Sequence, residues 1–249
     1  MIETRVTTSQ GPIHVRGLPE AFDGKRPLVF AITGAFAQRD GAMFHLTPYI
    51  SAFADVMFGN LPGNHCPTVA AAEVGVYAAA YAEAVGQLAG ERPVLAVGLS
   101  IGGLVTLAMD APRVRRNVVV EPPLVMSKVW PMRDFLQGRL ASEPQDADLG
   151  AFIGNIFGVL PGGRVEERRY DGLLARLSRP TRVLVGDDLL MPPRALTRGM
   201  PSLVDGPERS LLAAHPCVTL TEISGAGHNV PQQNARAFVD VLREEVARL

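Results

Sequence analysis

Pro93-Val94-Leu95-Ala96-Val97-Gly98-Leu99-Ser100-Ile101-Gly102-Gly103-Leu104-Val105-Thr106-Leu107-Ala108-Met109 decides the fold. Its first five residues read as a buried strand and its last seven as a helix packed on a sheet. Between them stands Gly98-Leu99-Ser100-Ile101-Gly102, a serine with a glycine on each side at a strand-to-helix turn. The glycines let the chain bend sharply and push the hydroxyl out of the turn. The free N–H groups of the new helix, beginning at Ile101, then point at whatever the hydroxyl attacks. A chain with 25 glycines makes a bare G-x-S-x-G weak, so the strand before it and the helix after it carry the weight.

Outward from this turn, strands and helices alternate. Residues 3–8 and 12–16 alternate polar and apolar around Gln10-Gly11, an opening hairpin. Leu28 to Thr33 is a continuous apolar run, as in a central parallel strand covered on both faces. Helical periodicity covers 43–53, a short strand 55–58 and a long alanine-rich helix 69–89. Another strand lies within 114–120, closed by Glu121-Pro122-Pro123. From 124 to 178 strand-like runs cease, and helices are predicted around 126–140, 146–158 and 164–177. Strands resume at 181–185 and 218–223, and a last helix starts near Asn234. This order predicts one α/β domain with a mostly parallel, doubly wound sheet. Its core comprises 1–123 and 179–249, and 124–178 is a helical lid over the sheet edge where ligands bind.

At 249 residues the chain can bury a full core, and 47% hydrophobic residues suit a folded globule. A net charge of −1 gives no basic excess for nucleic acid. Arg164, Arg168 and Arg169 interleave with Glu166 and Glu167, which reads as a solvated helix face. No apolar run reaches membrane-spanning length and the first residues hold no signal core, so a cytoplasmic protein is expected. Two distant cysteines, Cys66 and Cys217, make no disulfide framework. Without paired Cys or His spacing, no metal site and no cofactor is expected.

A serine hydroxyl needs a base, and the base needs a partner. His228, in Gly225-Ala226-Gly227-His228-Asn229-Val230-Pro231, follows the last strand and so lies at the same sheet edge as Ser100. Asp187 and Asp188, after the strand at 181–185, share that edge. The order serine, acid, histidine is the one linked to this serine turn. No such partners accompany His14, His45, His65 or His215.

These features together resemble the α/β-hydrolase superfamily over nearly the whole chain. Asn60-Leu61-Pro62-Gly63-Asn64 resembles the family's D-x-P-G-x-G segment, with Asn60 in place of aspartate. Thr33-Gly34-Ala35-Phe36 resembles its H-G-x oxyanion loop, with threonine in place of histidine. The resemblance implies an oxyanion hole from the backbone N–H groups of Ala35 and Ile101. The family pattern of a proline four residues after the acid favours Asp188, followed by Pro192. Asp187 is the alternative, and Glu121 a more distant one, since some members use that position. Phe36, Met126 and Trp130 are expected to contact a small-molecule acyl substrate. The reading is a serine hydrolase of carboxylic esters or thioesters. The same triad resembles that of carbon–carbon bond hydrolases, lyases and acyltransferases, and some receptors retain it without catalysis. A haloalkane dehalogenase would need aspartate at Ser100.

Overall fold

A computed structural model describes residues 1–36, 43–63, 66–143, 146–194, 196 and 199–249. Asn64 and His65 of the sequence reading lie outside the described residues. The chain opens on the antiparallel pair β1 (Ile2–Thr8) and β2 (Gly11–Gly17). There follow a one-turn helix α1 (Pro19–Phe22), the strand β3 (Leu28–Ile32), a one-turn helix α2 (Thr47–Ile50) and β4 (Asp55–Gly59). Helix α3 (Val74–Ala89) leads to β5 (Val94–Leu99), α4 (Ile101–Ala108) and β6 (Val114–Val120). After a long connection come β7 (Thr181–Gly186) and β8 (Val218–Ile223). The strands form one sheet in the order β1-β2-β4-β3-β5-β6-β7-β8. From β4 to β8 every pairing is parallel.

All five residues of β3 are buried, which an alternating strand exposed on one face cannot be. Leu28, Phe30 and Ile32 face the layer of α3 and α4, and Val29 and Ala31 face the other side. There the last helix, α9 (Ala235–Val246), buries Phe238, Val239, Val241 and Leu242. Its Glu245, 1% exposed, also takes Arg116 of β6 at 2.6 Å and Arg248 at 3.0 Å. The helix is thus tied to the sheet by charge as well as by apolar area.

The helix predicted from residue 69 begins at Val74, because Ala70 instead donates its N–H to the carbonyl of Gln10 at 2.7 Å in the first hairpin turn. On α3, Tyr77 and Tyr81 are buried and donate to the carbonyls of Pro62 (3.1 Å) and Asn60 (2.5 Å). These hydroxyls hold the segment beyond β4 against the core. Tyr81→Phe would leave the Asn60 carbonyl without that donor, and a loss of about 1–2 kcal/mol in urea unfolding is expected. An unchanged midpoint would contradict this account of the segment.

Between β6 and β7 the chain forms α5 (Trp130–Ser142) and α6 (Ala147–Phe152). The latter widens into a π turn, Ile153–Phe157, and stops at Gly158 in left-handed backbone. The helix predicted over 164–177 does not form, apart from a 3₁₀ turn at Asp171–Arg176. Val165 and Arg169 instead make bridges to Val159 and Val125. The charges explain this. Arg164 pairs with Glu166 at 3.1 Å, Arg169 with Glu167 at 3.0 Å and with Asp171 at 2.8 Å, all two residues apart. That spacing shares a face on an extended chain and not on a helix. Two helices follow the sites of later interest: α7 (Gly206–Ala213) after β7, and one-turn α8 (Val230–Gln233) after β8.

Candidate active site

Ser100 caps α4 with φ 56°, a left-handed conformation seldom adopted by serine, and its N–H donates to the Val120 carbonyl on β6 at 2.8 Å. The flanking glycines are required by close approach. A Cβ on Gly98 would stand 2.2 Å from the Gly102 carbonyl oxygen, and one on Gly102 2.4 Å from that of Ile32. So α4 begins directly against the ends of β3 and β5. The N–H groups of Ile101 and Gly102 open the helix without an acceptor inside it, whereas that of Gly103 donates to the Ser100 carbonyl at 2.9 Å.

Thr33 to Phe36 continue from β3. A Cβ on Gly34 would lie 3.4 Å from that of Ser100, so this loop borders the serine. Gly34, Ala35, Phe36, Ser100 and His228 line one cavity of about 490 Å³. Ala35 lines that cavity, and Ile101 is the first residue of the helix that follows the serine. Apolar side chains line most of the rest, among them Met126, Val129, Met132, Phe135, Phe157 and Leu203, together with the polar Asn229 and Gln232. Four of these, Met126, Val129, Met132 and Phe135, come from the start of the inserted segment. Trp130, expected beside the substrate, does not line this cavity. It packs with Val129, Leu190 and Leu203.

His228 arrives on the loop between β8 and α8, its N–H donating to the Met200 carbonyl at 2.9 Å. Among the described residues no direct hydrogen bond joins it to Ser100. Such bonds are often long until substrate binds. Its Nδ1 is buried without a hydrogen bond and lies 3.6 Å from Oε2 of Glu121.

The carboxylate beside the imidazole is therefore Glu121, and the aspartates are placed otherwise. Asp188 is more than a third exposed and forms an ion pair with Arg194. Its backbone, not its side chain, meets the histidine loop, donating to the Ala226 carbonyl at 3.0 Å. Asp187 accepts the Gly225 N–H at 3.0 Å through both oxygens. That bond holds its carboxyl below the usual range. Asp187 thus braces the loop at the exposed Gly225, and Asp188 braces it through its backbone at the buried Ala226. Glu121 is fully buried. Oε1 accepts the Gly186 N–H at 2.7 Å and Oε2 that of Leu203 at 2.6 Å. A carboxylate oxygen carries two lone pairs, so Oε2 keeps one for Nδ1. The backbone of Glu121 is left-handed too, φ 52°, although it precedes Pro122, which normally enforces an extended residue. Such an outlier points to a constraint from the surroundings.

Sequence reading ranked Glu121 last, yet a signal was present. A glutamate directly after Val118-Val119-Val120, in a strand covered on both faces, has to be buried and buried carboxylates are paired. Among the described residues no group of three or more His, Cys, Asp or Glu side chains could hold a metal ion. No helix among them is long and apolar enough to cross a membrane.

A model described as the alpha/beta hydrolase family matches residues 27–241. No curated protein sequence matches the chain. Among solved structures, an esterase from Thermogutta terrifontis superposes with a TM-score of 0.69 at 17% identity, over 100% of this chain and 99% of its own. Carboxylesterase CesB from Bacillus subtilis gives 0.64 at 17%, over 99% and 90%. A deformylase from Pseudomonas putida S16 gives 0.66 at 14%, over 97% and 99%. At these identities the likeness establishes a shared fold.

Proposed function

Because the chain belongs to the alpha/beta hydrolase family, we propose that it is a serine hydrolase cleaving an ester or thioester of an apolar acyl group. Ser100 is the nucleophile, His228 the general base and Glu121 the acid. The observation that carries this is the seating of His228 on the serine's cavity, with its Nδ1 3.6 Å from a buried glutamate.

The substrate carbonyl enters beside Ser100. His228 takes the hydroxyl proton at Nε2 as Oγ attacks, and the Nδ1–H donates to Glu121, whose negative charge stabilises the imidazolium. The negative oxygen that forms is received by the N–H groups of Ile101 and Ala35, and each such donor lowers the barrier by roughly 3 kcal/mol. His228 then passes its proton to the departing alcohol or thiol, and water repeats the cycle on the acyl-enzyme. The inserted segment 124–178 is the lid. Met126, Val129 and Met132 give the acyl group an apolar bed and exclude water from the reacting centre.

A fluorophosphonate probe is expected to label the protein at one site, mapped by mass spectrometry to the peptide containing Ser100. p-Nitrophenyl butyrate is expected to be hydrolysed. Absence of both labelling and turnover overturns the proposal in favour of a non-catalytic binding protein. The deformylase fold relative makes N-acyl bonds the next class to assay beside esters and thioesters.

A further inference from the structure

Phe36 directly follows the proposed oxyanion donor Ala35 and is a bulky residue in left-handed backbone, φ 56°. Nothing in phenylalanine favours that conformation. Its ring is the common point of an aromatic cluster contributed entirely by the inserted segment. Phe135 of α5 meets it edge-on at 5.4 Å and Phe152, the end of α6, edge-on at 5.6 Å. Phe157, from the π turn, stacks on it at 6.0 Å. The Arg139 guanidinium lies 5.9 Å from the ring centre. These contacts are individually modest, but four of them converge on one ring.

The ring also separates two cavities. One is the serine's, and the other, of about 320 Å³, is lined by Phe36, Gly63, Arg139, Glu143 and Phe152 among others. Phe152 lines only the second. A side chain that touches Phe36 but lies outside the serine's cavity thus offers a handle on the oxyanion loop from behind.

We propose that Phe36 is a positioning residue, through which the aromatic cluster of the inserted segment fixes the direction of the Ala35 N–H at the reacting carbonyl. The proposal rests on the reading of Ala35 as an oxyanion donor. The strained backbone of residue 36 is held because its ring is caged, and a loosened cage lets residues 35–36 relax. The segment that covers the substrate is then mechanically joined to the group that stabilises the transition state. An acyl group pressing on Phe135 and Phe157 tightens the same cage, which couples binding of apolar acyl chains to the rate of their cleavage.

The test is Phe152→Leu, assayed with p-nitrophenyl butyrate and with 1,1,1-trifluoro-2-hexanone, which forms a tetrahedral adduct with a reactive serine. A fall in kcat on the order of tenfold to a hundredfold is expected, the cost of a slightly misplaced catalytic group. KM should stay essentially constant, and affinity for the trifluoroketone should fall by the same factor as kcat/KM. Phe36→Leu should reproduce the loss, and Phe36→Tyr, which keeps the caged ring, should lose less than Phe36→Leu. A Phe152→Leu variant with wild-type kcat, or with a change in KM alone, overturns the proposal while leaving the hydrolase reading intact. If Phe152→Leu fails to fold, Phe36→Leu, at a half-buried position, decides on the same criteria. Wild-type protein that neither turns over the ester nor reacts with a fluorophosphonate overturns both.

Discussion

Glu121→Gln is expected to lower kcat by about three to four orders of magnitude, with KM for a short ester nearly constant. The amide carries no charge to stabilise an imidazolium. It also cannot satisfy its surroundings: one oxygen of Glu121 accepts the Gly186 N–H and the other the Leu203 N–H. Whichever position the amide nitrogen takes, a donor then faces a donor in a buried site. Thermal unfolding measured alongside separates the two effects, and Glu121→Asp, which keeps the charge but draws it back by one methylene, should retain more activity than the amide. Asp188→Asn should lose only its exposed pairing with Arg194 and stay within a few-fold of wild type, as surface pairs contribute little. The opposite ranking would return the acid role to Asp188.

Gly102→Ala is expected to destabilise the protein by more than about 3 kcal/mol, and soluble yield should fall with it. The added methyl would meet the backbone oxygens of Ile32 at 2.4 Å and Thr33 at 2.5 Å. Backbone in the central strand cannot swing aside as a flexible side chain could. The matched control is Gly86→Ala on α3, where a Cβ meets nothing within 4 Å. There a gain of roughly 0.5–1 kcal/mol is expected from the lower entropy of the unfolded chain. Urea denaturation of the two variants compares them directly. Similar midpoints would contradict the picture of α4 seated directly on β3.

The contrast between the two glycines also marks what could be read from the sequence. The serine turn was legible because everything it needs lies within ten residues of Ser100 on either side: a strand, two glycines and a helix. The parallel strands were legible because burial on both faces forces continuous apolar runs such as Leu28–Ile32. The carboxylate beside His228 was legible only as a third choice, because Glu121 is held by N–H groups of Gly186 and Leu203, some 65 and 82 residues along the chain. Local pattern favoured Asp187 and Asp188, which do reach the histidine loop, but only to brace it. The run from Arg164 to Asp171 failed for a different reason. Its alternating charges satisfy a helix and an extended segment equally well as text, and the two-residue ion pairs decide for the latter.

With the proposed acid just past the end of β6, the work of the sheet edge is divided unevenly. On that assignment the Asp187 and Asp188 carboxylates take no part in the reaction, and the two residues serve the histidine loop through the Gly225 N–H and the Ala226 carbonyl. Glu121-Pro122-Pro123 carries the opposite burden. On the proposed mechanism the same tripeptide anchors the reaction and launches the cover over it, and a single-residue slip there is expected to disable both together.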